Sequence, residues 1–136
     1  MGVLMSYSDV HQSYGRCRRA GNFVDRFYER FLAADERVAQ AFTTTNWSQQ
    51  KRALGQAIST AISYAEGESF VAPTMEKMAE VHSRHGRVPV APELYGVWLN
   101  CMVETAREVD PRWEESLAQR WRGALSPAID LFIERY

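Results

Sequence analysis

What this sequence has little of excludes more than what it has in plenty. Cysteine is scarce. Cys17 and Cys101 are too few and too far apart for a disulfide scaffold. Neither sits in a C-x-x-C pair, which removes zinc knuckles and thioredoxin-type redox chemistry. They read as buried thiols on helix faces. An excess of one charge is missing too. The 16 lysines and arginines nearly balance the 17 aspartates and glutamates, for a net charge of −1, which excludes nucleic-acid binding by general electrostatics and a polybasic membrane-surface role. No stretch approaches the roughly 18 apolar residues of a spanning helix, and Met1–Ser6 is too short for the apolar core of a signal peptide. A cytoplasmic location, with no membrane or nucleic-acid partner, is therefore expected. Period-two alternation, repeats, linkers and low-complexity tracts are absent. So are a phosphate-cradling glycine loop, G-x-S-x-G, H-E-x-x-H and any dense carboxylate cluster, so the usual catalytic signatures are missing.

What remains is helical periodicity in one domain, residues 1–136. At 136 residues and 46% apolar composition, the chain can bury roughly two-thirds of its unfolded surface without staples. Phe23, Phe27 and Phe31 recur at i+4 with Val24, Tyr28 and Leu32 beside them, which predicts a deeply buried helix near 21–34. Leu54, Ala57, Ile58, Ala61, Ile62 and Ala65 mark a helix over about 48–66. Pro73 opens a third and Gly86 is read as its stop. Pro92 starts a fourth, running through Trp98 and Met102 to about Val109. Asp110-Pro111 then reads as the cap and first turn of the last helix, which carries Leu117, Trp121, Leu125, Ala128 and Phe132 on one face, with Pro127 inside it. A first helix over 8–19 is more weakly patterned. The total is six or seven helices with short connections.

One ionisable group stands apart. Met75, Met78 and His82 fall at i, i+3 and i+7, so this histidine lies on an apolar stripe. A lone histidine there is more often a satisfied core residue than a ligand, and a single imidazole cannot hold a first-row metal against water. It can hold one already caged by a macrocycle. Haem needs one axial imidazole, an apolar slot and cations near its propionates. His82 is the candidate ligand. Phe42, Leu54, Ile58, Met75, Met78, Val88 and Val90 are candidates for the slot, and Arg84, His85 and Arg87 for the propionates. No C-x-x-C-H motif is present to tether the group covalently, so it would be haem b.

In order along the chain these residues resemble the globins, in particular bacterial single-domain and sensor-type members. Phe27-Tyr28-Glu29-Arg30-Phe31 is similar to the second globin helix, whose tyrosine points into the distal pocket. Phe42 is placed like the phenylalanine that packs on the haem face. Thr45-Asn46-Trp47-Ser48-Gln49-Gln50 resembles the start of the distal helix, with Gln50 at the distal polar position and Leu54 as the apolar lid one turn on. Met78-Ala79-x-x-His82 matches the leucine-alanine-x-x-histidine that carries the proximal ligand. Val88-Pro89-Val90 is similar to the corner at the haem edge, Pro92-Glu93-Leu94-Tyr95 to the next helix start, and Trp121–Tyr136 to the closing helix. The stretch from His82 to Tyr95 is a few residues longer than in flavohaemoglobin-type globins. Taking His85 as ligand would restore that spacing but displace the Met78-Ala79 match, so the reading takes His82.

The resemblance implies an all-α, globin-like fold of six to eight helices around a haem pocket, His82 as the iron ligand, and Tyr28 with Gln50 as distal hydrogen-bond donors. It implies reversible binding of O2, with NO and CO as further ligands, for oxygen binding, transport or gas sensing. Nitric-oxide dioxygenation is the alternative and would need an external reductase. A sensor would need a signalling partner, reached through a surface such as a dimer made by the last two helices. Monomer and homodimer are both open.

Overall fold

The computed structural model describes residues 6–136; of the Met1–Ser6 stretch discussed above, only Ser6 lies within the described residues. The chain is all-helical there: α1 (Ser8–Ala20), α2 (Phe23–Ala34), α3 (Glu36–Ala41), α4 (Trp47–Ala65), a single 3-10 turn at Ser69–Val71, α5 (Ala72–Val81), α6 (Leu94–Val109) and α7 (Ser116–Glu134). Local signals explain most boundaries. Gly21 ends α1 in the left-handed region at φ 88°, its N–H donating to the Arg18 carbonyl, a conformation glycine adopts at no steric cost. Asp35 caps α3 by accepting from the Arg37 N–H at 2.8 Å. Asn46 caps α4 by accepting from the Gln49 N–H at 3.2 Å and so sets the register of that helix.

α4 packs chiefly on α7 and α2 on α6, with α1 laid across α6 and α7. Trp121, Phe23, Phe27, Ile58, Ile62, Met75, Met102 and Leu125 are the largest fully buried side chains, each contributing about 1.5–3 kcal/mol of transfer free energy. One polar network sits in this core. Asp110 accepts from Ser13 Oγ at 2.6 Å, from Arg16 at 2.6 and 2.9 Å and from the Arg112 N–H at 2.9 Å, while Trp121 Nε1 donates to Ser13 Oγ at 3.0 Å. Burial raises the Asp110 carboxyl, but the Arg16 and Ser13 hydrogen bonds outweigh it and hold the group below its ordinary range. Both cysteines are buried free thiols. Burial, and then the Asp110 charge, pushes Cys17 up to about 12, which leaves it inert.

Three boundaries differ from the sequence expectation. Asp110 does not cap the last helix. It closes α6 and its carboxylate holds the Arg112 N–H in a turn, so α7 begins only at Ser116. The short α3 is not singled out by the apolar pattern. Finally, α5 does not reach Gly86 but ends at Val81, because the loop after it folds back over its end. The Val88 N–H donates to the Val81 carbonyl at 2.9 Å and the Val90 N–H to the His82 carbonyl at 3.1 Å, satisfying carbonyls that a helix end leaves free. Gly86 is needed for that fold-back rather than as a helix stop. A Cβ there would lie 2.2 Å from the Glu80 carbonyl oxygen and 2.3 Å from that of Val81.

Candidate functional site

Two groups of sequence-selected residues come together, on different elements. The first lies on α2, α4 and the turn between α3 and α4. Tyr28, 4% exposed, accepts a hydrogen bond from Gln50 Nε2 at 2.9 Å. The residues are 22 positions apart, and the contact of α4 with α2 joins them. Burial pushes the Tyr28 phenol up to about 12, against the opposing effect of the Gln50 hydrogen bond. It is therefore protonated at any physiological pH. Because Gln50 is the donor, the Tyr28 hydroxyl proton is left without an acceptor among the described residues. Phe42 packs edge-on against Tyr28 at 5.6 Å, and Leu54, buried, lies one turn beyond Gln50.

The second group lies at the end of α5. His82 closes the helix, half-buried, with its ring edge-on to Phe132 of α7 at 5.9 Å. Its Nδ1 is 3.0 Å from the Val88 carbonyl oxygen. A carbonyl only accepts, so Nδ1 carries the proton and Nε2 of the neutral ring is a free lone pair, the arrangement of a metal-binding imidazole fixed by an outer hydrogen bond. Met75 is fully buried, Met78 and Val90 are half-buried, and Ile58 is buried on α4. Val88 is 49% exposed, placing its side chain outward while its carbonyl serves His82. Beyond it, His85 and Arg87 are exposed and their side chains have no hydrogen-bond partner among the described residues. Arg84 is turned away onto the Tyr136 ring at 5.0 Å, its N–H donating to the Tyr136 carbonyl at 3.1 Å.

α5 rests on α4, the 3-10 turn and α7, without comparable packing on α2, α3 or α6. Half-buried apolar side chains packed on the core include Phe42, Met78, Leu94, Val97 and Trp98. Tyr95 of α6 adds an observation that the sequence did not assign. Its hydroxyl is the one buried side-chain polar atom among the described residues with no hydrogen-bond partner, and burial pushes it up to about 12. Its ring packs on Phe132 at 5.8 Å, the same ring that meets His82. Native cores leave such atoms orphaned rarely. A spare imidazole lone pair, a spare phenol proton and apolar walls fit a flat, apolar group ligated through one nitrogen. Trp47 is the other residue sequence reasoning passed over; its only signal was its place at the start of α4.

Among the described residues, seven helices in this order carry a tyrosine–glutamine pair on α2 and α4 and a histidine at the end of α5. No family model and no curated protein matches the sequence. Among solved structures, the chain is similar to protein PA3967 of Pseudomonas aeruginosa PAO1, whose crystal structure is described as structurally highly homologous to a human hemoglobin. Identity is 31% over 96% of this chain and 97% of that one, with a TM-score of 0.90. The chain belongs to the globin superfamily.

Proposed function

We propose that this chain holds haem b through His82 Nε2 and binds O2 reversibly, with Tyr28 and Gln50 as the polar pair on the distal side. The hydrogen bond from Gln50 to Tyr28 carries the reading: it brings together the two distal donors and leaves the tyrosine proton for a ligand. When bound, the haem iron supplies the coordination position for a diatomic gas. The chain's own residues do the rest. Val88 fixes the His82 ring through Nδ1. Gln50 orients the phenol, whose proton then favours ligands that take on negative charge, O2 above CO, by about 1–3 kcal/mol in a low-dielectric site. Phe42, Leu54, Ile58, Met75 and Met78 would hold the apolar faces of the haem, and the exposed His85 and Arg87 would pair with its carboxylates. NO and CO are the other ligands of the same position.

The test is haem titration of the purified protein followed by absorption. A Soret band distinct from that of free haem, saturating at one haem per chain, is expected. A spectrum that remains that of free haem refutes the reading.

A further inference from the structure

Trp47 is the first residue of α4, placed by the Asn46 cap so that Trp47, Gln50 and Lys51 share one face at i, i+3 and i+4. Its indole stacks on Phe42 at 5.5 Å with 21° between planes and meets Tyr28 edge-on at 5.0 Å, the shortest ring separation among the described aromatic pairs. On the outer side Lys51 Nζ lies 5.9 Å from the Trp47 ring centre and bonds Asp25 on α2 at 2.6 Å. Asp25 is one turn before Tyr28 and Lys51 is adjacent to Gln50. The α2–α4 seam therefore has two rungs, an exposed ion pair outside and the Tyr28–Gln50 bond inside, with the indole wedged against both. Nothing in the Tyr28–Gln50 hydrogen bond itself requires so bulky a neighbour.

We propose that Trp47 is a specificity-determining residue of the distal site, the outer wall that holds the Tyr28 ring in place and limits access to small ligands. The inference rests on the haem reading above. The indole covers the Tyr28 ring from the first turn of α4 and stacks on Phe42, so that a ligand larger than a diatomic must displace it. It also shields the phenol from water, which keeps the tyrosine proton for the ligand.

The experiment compares the parent with Trp47→Ala and Trp47→Phe, each haem-loaded, with circular dichroism as the check on folding. Association of CO and of tert-butyl isocyanide is followed after flash photolysis. Trp47→Ala is expected to raise the isocyanide-to-CO rate ratio at least tenfold, and Trp47→Phe to return most of the way to the parent. An unchanged ratio overturns the proposal. A second arm uses the haem-free proteins, with the Tyr28 resonance in 13Cζ-tyrosine NMR assigned by Tyr28→Phe. Trp47→Ala is expected to bring the Tyr28 titration down from about 12 towards that of an exposed tyrosine, and an unmoved titration overturns the shielding. Failure of the parent to take up haem would refute the functional reading alone, and the second arm would still decide the role of Trp47. If Trp47→Ala does not fold, Trp47→Leu carries both measurements.

Discussion

Replacing Gly86 by alanine perturbs the histidine without touching it. The backbone at Gly86 is not in the left-handed region, so conformational strain is not at issue; contact is. The added Cβ would stand 2.2 Å from the Glu80 oxygen and 2.3 Å from the Val81 oxygen, whereas an ordinary carbon–oxygen contact is about 3.3 Å. Both oxygens belong to the last turn of α5, so the loop has to lift by about 1 Å. Three bonds of 2.9–3.1 Å hang on that loop: Val88 N–H to Val81, Val90 N–H to His82, and His82 Nδ1–H to Val88. At about 0.5–1.5 kcal/mol each, partly compensated by water at this exposed corner, their loss costs about 2–3 kcal/mol. The smaller unfolded-state entropy of alanine returns about 0.4–1 kcal/mol. The expected net destabilisation is about 1–2.5 kcal/mol, read as a shift of the urea midpoint of the haem-free protein. The haem-loaded variant should also transfer its haem to a scavenger protein faster than the parent, because the ring is no longer fixed in tautomer or direction. A variant as stable as the parent, with unchanged haem transfer, would refute the fold-back as the support of His82.

Three further outcomes follow from the same geometry. Tyr28→Phe removes the donor and leaves Gln50 unpaired; O2 release, measured by stopped flow, should speed by about tenfold or more, equivalent to about 1.4 kcal/mol, with a smaller change for CO, and equal effects on both gases would mean that the tyrosine acts by shape. His82→Ala should abolish the iron–imidazole stretch in the resonance Raman spectrum of the ferrous protein, with partial recovery on adding imidazole, while His85→Ala keeps it; the reverse pattern would reassign the ligand. The Asp110 carboxyl lies below its ordinary value of 3.8 when folded, so its contribution to stability is present at neutral pH and is lost as pH falls below about 4 through the folded value. Urea midpoints of Asp110→Asn should therefore fall below those of the parent at neutral pH and converge with them in acid, and a constant difference across pH would show that the ion pair is not responsible.

The fold was legible because burial is periodic. Phe23, Phe27 and Phe31 of α2, and Leu117, Trp121, Leu125 and Ala128 of α7, are all buried as their spacing demands. Single-residue cues served less well wherever tertiary contacts compete with them. Asp110 has the sequence of an N-cap, but Arg16 and Ser13 from α1 claim its carboxylate. Gly86 has the sequence of a helix stop, but its role depends on a loop returning over α5, and no local pattern encodes that return. The distal pairing was legible through resemblance alone: nothing in the period of either helix says that Tyr28 and Gln50 meet. Tyr95 stayed unassigned because an orphaned hydroxyl is a property of the packed interior, visible only when every neighbour is in place.

The satisfied and unsatisfied polar groups are segregated, and that division separates stability from the site. The core polar network ties α1 to the α6–α7 corner through Asp110, and Arg120 to Asp9 adds a further tie between α1 and α7. Arg26 and Arg30 of α2 bridge to Glu108 of α6, and Arg30 also donates to buried Thr105. Those contacts leave no donor or acceptor wanting and hold α1, α2, α6 and α7 as a frame. The free capacity lies elsewhere: the Tyr28 proton on the face of α2 towards α4, Nε2 of His82 at the end of α5, and the Tyr95 hydroxyl near the start of α6. Among the described residues, α5 packs chiefly on α7, α4 and the 3-10 turn. The unmet hydrogen-bonding capacity of the described residues thus lies on side chains of α2, α5 and α6 that take no part in the ion pairs joining the helices.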